Sequence, residues 1–334
     1  MEVIKRRAFA RVGLIGNPSD GYGGKTIAFT IPNYYADVVL YEWEEMEVIP
    51  SQQDHGRFSS IHELARDVEL HGYYGGIRLV KATIKRFIDY CRGRHELHDR
   101  NFSIRYESNI PRQVGLAGSS AIIVATLRAL ADFYQLEIPL HLQPTLVLSV
   151  ETDELGIAAG LQDRVVQVYE GLVHMDFTEK AMQQQDELWY GRYEHLDAAT
   201  LPPLYIAFST ELGEPTEVVH NDLRSRFQQG DAELVKAMQR LAGITDEARS
   251  ALENGDPQQL GRLIDENFTI RQSICHVHSD HLAMVEAARS VGASAKFAGS
   301  GGAIVGTFQD EAMYQELCLK LQQSGCQVLR PLSS

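Results

Sequence analysis

Pro111-Arg112-Gln113-Val114-Gly115-Leu116-Ala117-Gly118-Ser119-Ser120-Ala121 runs directly into Ile122-Ile123-Val124-Ala125-Thr126-Leu127-Arg128-Ala129-Leu130-Ala131-Asp132-Phe133-Tyr134. In the second run Ile123, Leu127, Leu130 and Tyr134 recur at spacings of four, three and four, which predicts a buried helix. A Gly-rich loop that feeds a helix start offers unpaired backbone N–H groups and the positive end of the helix dipole. Phosphates bind such a place. Ser119 and Ser120 at the junction can cap the helix, touch a phosphate or ligate a phosphate-bound Mg²⁺. One cap residue suffices for a helix, whereas two glycines and two serines follow the proline here, so phosphate binding is the preferred reading.

Outward from this loop, 334 residues are enough for two domains with cores of their own. Hydrophobic content of 44% and charged content of 23% exclude a disordered or fibrous chain. A formal charge of −14 argues against nucleic acid or an anionic membrane as partner, since both require basic clusters. Cys91, Cys275, Cys318 and Cys326 show no C-x-x-C spacing and read as reduced thiols. Arg11 interrupts the run after Lys5-Arg6-Arg7 before a signal-peptide core can form, and no segment has the ~18 apolar residues of a membrane span. The expectation is a cytoplasmic protein.

Patterning predicts strands at 8–16, 25–39, 102–106, 172–177, 204–209, 303–308 and 327–329. Helices are predicted at 77–90, 139–150, within 156–169, and at 231–253, 257–272, 279–291 and 310–324. The polar, Gln-rich stretch 178–186 and Pro202-Pro203 bracket a domain boundary, giving domains 1–190 and 200–334. Gly23-Gly24-Lys25-Thr26 is not a P-loop: Ser19 stands where the first glycine belongs, and a β pattern follows Thr26.

Pro111 to Ala121 resembles the phosphate loop of the GHMP kinases, the superfamily of galactokinase, homoserine kinase and mevalonate kinase. Two further segments match that family in order, Ala10-Arg11-Val12-Gly13-Leu14-Ile15-Gly16-Asn17-Pro18-Ser19-Asp20-Gly21-Tyr22-Gly23-Gly24 and Ala295-Lys296-Phe297-Ala298-Gly299-Ser300-Gly301-Gly302-Ala303. The resemblance implies a two-domain α+β fold, with an N-terminal nucleotide-binding α+β domain and a C-terminal ferredoxin-like α+β domain. It also implies ATP as co-substrate and Mg²⁺ as cofactor. Pro111, Gly115, Leu116, Ala117, Gly118, Ser119, Ser120 and Ala121 would then hold the nucleotide.

By resemblance to galactokinase, a metal-binding Glu precedes a Gly-x-x-Asp, and Glu151 to Asp163 has that spacing. Ser120 and Glu151 are the implied Mg²⁺ ligands, both hard oxygens, with Asp153 and Glu154 near enough to substitute for Glu151. Asp163 is the implied general base or hydroxyl-orienting group, and Arg11 the cation that stabilises transfer. Asp20 and Tyr22 match the sugar-binding turn, although Asn17-Pro18 replaces the Glu-His of galactokinase and argues against galactose. Gly301, in the third motif, is by the same resemblance expected to support a phosphate or substrate contact.

Gly-Asn-Pro-Ser-Asp at 16–20, Ala159-Gly160-Leu161-Gln162-Asp163-Arg164-Val165, His98-Asp99-Arg100-Asn101-Phe102 and Gly72-Tyr73-Tyr74-Gly75-Gly76 are similar to the glucuronokinase branch. That branch phosphorylates D-glucuronate at its anomeric oxygen. Such a substrate calls for a cation to meet its carboxylate, with Arg164, Arg78 and Arg271 as candidates. Cys275-His276-Val277-His278-Ser279-Asp280-His281 resembles a zinc cluster but lacks a second ligand pair at standard spacing.

Overall fold

The computed structural model describes residues 3–50, 75–210 and 217–332, with the backbone alone for 217–222. The first sheet is organised by two long strands, β1 (Val3–Ile15) and β2 (Lys25–Glu42). They pair antiparallel from Val3 opposite Tyr41 to Ile15 opposite Ile27. The other edge of β2 is shared. β3 (Glu47–Ile49) lies parallel to β4 (Phe102–Ser108), β4 pairs with residues 36–42 of β2, and β5 (Leu172–Asp176) pairs with residues 25–29. The β pattern after Thr26 is therefore an 18-residue central strand, too long for the 25–39 run predicted.

Helix α1 (Gly76–Cys91) buries Leu79, Val80, Thr83, Phe87 and Cys91, an i, i+4 stripe, against α2 (Gly118–Phe133). Helix α2 lies across β1 and β2 and is buried almost all round, as Ile122 to Leu127 require. After α3 (Gln143–Ser149), a π-helical turn carries Val150–Glu154, and α4 (Gln162–Tyr169) follows. The stretch around 178–202 is more structured than its composition suggests. It forms the hairpin β6 (Gln183–Gln185) and β7 (Leu188–Tyr190), then β8 (Arg192–Leu196), which pairs with β5 in the first sheet.

The second sheet contains β9 (Leu204–Ser209), β10 (Lys296–Phe297), β11 (Ala303–Thr307) and β12 (Cys326–Leu329), all antiparallel. Its spatial order β12-β9-β11-β10 is 4-1-3-2 in chain order, that of a ferredoxin-like sheet. Between β9 and β10 run α5 (Glu217–Gln228), α6 (Ala232–Glu253), α7 (Pro257–Ile274) and α8 (Ser279–Ser290), and α9 (Glu311–Gln323) precedes β12. Helix α5 was not anticipated, because its sequence is polar and carries little apolar periodicity. The two sheets share one apolar core: Leu14 and Ile27 of the first belong to the same cluster as Leu241, Ile264 and Ala298. No helix among the described residues is long and apolar enough to cross a membrane.

Candidate active site

Three loops converge where the two sheets meet. Arg11 leaves β1 into the interior at 5% exposure, and its guanidinium makes four hydrogen bonds. Its Nε and Nη2 donate to the two Asp163 carboxylate oxygens at 2.5 and 2.7 Å. Its Nη1 donates to the Gly115 and Ala298 carbonyls at 2.6 and 3.0 Å. One guanidinium thus ties the first motif to the Gly-rich loop, to the third motif and to the start of α4. The planar fork of arginine suits this task, with donors left for carbonyls after the bidentate pair.

The glycines explain why the loops close so tightly. A Cβ on Gly299 would collide with the Gly115 carbonyl and stand 2.7 Å from Arg11 Nη1. One on Gly115, whose φ is +74°, would stand 2.8 Å from the Gly301 carbonyl. Gly301 therefore sits against the Gly-rich loop, beside His281.

That loop keeps its anion-binding character in the fold. Gln113, Gly115 and Ala117 all have positive φ, and such alternation turns successive N–H groups into a concavity. Helix α2 starts at Gly118, and its N-cap residue, Ala117, offers no side-chain cap. Ser119 and Ser120 fall inside the first turn instead. Neither serine stands at the N-cap position, and a helix start of this kind suits an anion. Ser120 is buried, its Oγ donating to the Ala117 carbonyl at 3.3 Å. Pro111 enters the loop, and the Leu116 carbonyl accepts from Arg11 N at 3.2 Å. Ala121 N donates to the Ala117 carbonyl as α2 begins.

Asp163 lies in the first turn of α4. Burial pushes its carboxyl up, but Arg11 and Arg164 outweigh burial and hold it at about 2. Asp20, in a 3₁₀ turn over Ser19–Tyr22, shows the opposite balance: burial and the neighbouring Asp163 charge raise it to about 6. Its carboxylate accepts from Gln162 N at 3.4 Å. Gly160 has room only for hydrogen, since a Cβ there would strike Asp20 Oδ2. Tyr22 packs on Phe227 of α5, ring centroids 4.9 Å apart, and burial pushes its phenol up to about 12.

Glu151 and Arg164 form a buried pair: Arg164 Nε donates to Glu151 Oε2 at 2.7 Å, and Nη2 reaches the same oxygen. Arg164 Nη1 donates to the Gly160 carbonyl at 2.9 Å and lies 3.5 Å from Asp163 Oδ2. Arg164 is thereby committed to protein partners. Both of its contacts to Glu151 fall on Oε2, and Glu151 Oε1 and Ser120 Oγ are both hard oxygens. Asp153 and Glu154 instead pair with Arg86 and Lys85. Among the described residues no group of three or more His, Cys, Asp or Glu side chains could hold a metal ion. Oxygens of this type are what Mg²⁺ takes, usually one or two from protein with phosphates and water completing its shell.

Arg271 is likewise engaged, donating to the Gly299 and Ser300 carbonyls at 2.6 and 2.8 Å and lying over Phe297. Arg78 lies in the first turn of α1, whereas Gly72, Tyr73 and Tyr74 lie outside the described residues. His98 is a packing residue, stacked on Tyr134 and bonded to the Phe133 carbonyl.

Sequence reasoning missed Lys296. It is 1% exposed, and its Nζ donates to the Gly13 and Phe297 carbonyls and to Asn17 Oδ1, at 2.7, 2.8 and 2.5 Å. Burial, then Arg271 and Arg11, push it well below its ordinary range. Three acceptors nevertheless call for three donated protons, which only the ammonium has, and the geometry favours the charged form. Asn267 was missed too. Its amide accepts from Gly16 N and donates to the Asn17 carbonyl, fixing the turn before Asp20. The signal was present, since Asn267 and Arg271 continue the buried stripe of Leu260, Leu263, Ile264 and Phe268 on α7.

Residues 78–171 match the family model of the GHMP kinases N terminal domain. Glucuronokinase 1 of Arabidopsis thaliana is 44% identical over 310 residues, 90% of this chain and 84% of that protein. D-glycero-alpha-D-manno-heptose 7-phosphate kinase of Campylobacter jejuni is 22% identical, over 84% of this chain and 80% of its own length. Among solved structures, Lactococcus lactis galactokinase complexed with galactose superposes at a TM-score of 0.76 with 16% identity, over 98% of this chain and 93% of its own. A Lin0012 protein from Listeria innocua reaches 0.79 with 15% identity, over 98% of this chain and 97% of its own. These structures share the fold, while the sequence identity to glucuronokinase decides the branch: the chain belongs to the GHMP kinases, beside the glucuronokinases.

Proposed function

We propose that this chain is an ATP-dependent sugar kinase that converts D-glucuronate to glucuronate 1-phosphate by phosphorylating the anomeric hydroxyl. The observation that carries the reading is the buried Arg11–Asp163 pair, set between the start of α2 and the Asp20 turn. The similarity to the Arabidopsis glucuronokinases supplies the sugar.

The N–H groups of 115–121 would bind the ATP phosphates at the start of α2. Ser120 and Glu151 would hold Mg²⁺, which when bound neutralises charge on the phosphate oxygens. Asp20 would accept hydrogen bonds from the sugar hydroxyls, and Tyr22 would donate one to the substrate. Asp163, held at about 2, is far too weak a base to strip a sugar hydroxyl before the phosphorus–oxygen bond forms. Its work is to orient that hydroxyl and to take the proton as transfer proceeds. Phosphoryl transfer, which passes through a loose transition state, asks for little more. Arg11 keeps the carboxylate ionised and aimed, and Arg164 acts through Glu151.

The test is ADP release from Mg-ATP with D-glucuronate, D-galacturonate, D-galactose, L-fucose and mevalonate, with Asp163→Asn as blank. Turnover confined to glucuronate, and lower by about 10²–10⁴ in the variant, is expected. Turnover on a neutral sugar alone overturns the substrate, and full activity of Asp163→Asn overturns the role of Asp163.

A further inference from the structure

A sugar acid needs a cation that the protein has not already used. Arg11, Arg164 and Arg271 all lie in the convergence zone, and each is saturated by a carboxylate, backbone carbonyls or both. Lys296 is sealed at 1% exposure by three acceptors. Arg224, on α5, is different. It is exposed, and among the described residues it makes no hydrogen bond and no ion pair.

Its placement follows from its neighbour. Phe227 packs on the Tyr22 ring, and residues three apart on a helix share a face, so Arg224 sits one turn from that contact on the side facing the sugar turn. Its positive charge registers at the Tyr22 phenol, where it opposes the upward push of burial, Cys275 and Asp20. The Tyr22 hydroxyl has no hydrogen-bond partner among the described residues either. A guanidinium and a phenol, neither with a hydrogen-bond partner among the described residues, thus lie on the side of the sugar turn that faces α5. Together they form a donor pair suited to a carboxylate or a phosphate.

We propose that Arg224, with the Tyr22 hydroxyl beside it, binds the anionic group at C6 of the sugar and sets the preference for a sugar acid over a neutral sugar. The inference rests on the sugar-kinase reading above, and the assay separates the two. Steady-state kinetics are measured for the parent enzyme, Arg224→Gln and Arg224→Lys with D-glucuronate and with D-glucose 6-phosphate. D-glucose serves as a neutral competitor.

Loss of a charge-assisted pair should raise KM for glucuronate about 10- to 100-fold in Arg224→Gln. The kcat should hold within a few-fold and inhibition by glucose should not change. Arg224→Lys should recover part of the loss. Because Arg224 is exposed, misfolding does not explain such a split. Unchanged KM in Arg224→Gln, with a parent enzyme active on glucuronate, overturns the inference while leaving the kinase reading intact. A parent enzyme that uses glucose 6-phosphate instead overturns the glucuronate reading. Arg224 then stands only if the variant raises KM for the phosphate. Turnover on neutral sugars alone overturns both.

Discussion

Replacing Arg11 by Met should cost more stability at neutral pH than at pH 4. Asp163 moves from an ordinary 3.8 to about 2 in the fold, which corresponds to about 2 kcal/mol of stability. Its folded value is depressed, so that contribution is present above pH 3.8 and disappears as the pH falls through 3.8 towards 2. In Arg11→Met the largest remaining influence on the carboxyl is burial, opposed by Arg164 Nη1 at 3.5 Å, and the folded value rises. Leaving one member of a buried pair uncompensated typically costs about 3–5 kcal/mol. The Gly115 and Ala298 carbonyls lose their donor as well. The loss at pH 7 should therefore be about 3–5 kcal/mol. It should shrink at pH 4, where the variant's carboxyl is protonated and its penalty relieved. Urea midpoints of both proteins at pH 7 and pH 4 measure the gap. Arg11→Lys, with one charge and no fork, should fall between them. A gap below about 1 kcal/mol at pH 7, or one unchanged at pH 4, would refute the claim that Arg11 governs Asp163.

Two further outcomes follow from groups beside this pair, and a third, at Gly243, is their control. Asp20 is raised to about 6, so it gains a proton and loses acceptor capacity as pH falls below that value; KM for the sugar should rise about tenfold per pH step there while kcat changes little, as initial rates from pH 5 to 8 would register. Gly299→Ala should force the third motif off the Gly115 carbonyl, costing about 1–3 kcal/mol and raising KM for ATP, whereas Gly243→Ala inside α6, with nothing nearer than 3.8 Å, should stabilise by about 0.5–1 kcal/mol in thermal melts and leave the kinetics alone.

The elements that were legible in the sequence are those whose burial is one-sided and periodic. Helix α1 and helices α6 to α9 fall within a few residues of their predicted spans because each buries a periodic apolar stripe. Helix α5 and the hairpin β6–β7 were not, since polar sequences such as Gln183-Gln184-Gln185 take their structure from what lies beside them. For the site, the loops could be read from glycine and serine usage, and Asp163 from its apolar setting. The partners could not be read. Nothing in the local sequence says that Arg164 turns to Glu151, 13 residues back across a turn, or that Lys296 folds back on Gly13, a contact across 283 residues that exists only once the two sheets meet.

The cations at that meeting also explain how a chain of charge −14 can serve anionic substrates. Were Arg11, Arg271 and Lys296 each matched with a carboxylate, their field would be cancelled locally. Of the three, Arg11 alone has such a partner among the described residues. Arg271 bonds to two carbonyls, and Lys296 to two carbonyls and an amide. Neutral acceptors satisfy the hydrogen bonds and fix the loops without neutralising the charge, which a low-dielectric interior screens poorly. Uncancelled positive charge therefore remains beside the start of α2, where phosphates would bind. The acidic exterior repels polyanions in general, and only a ligand small enough to enter between the sheets reaches the compensating field.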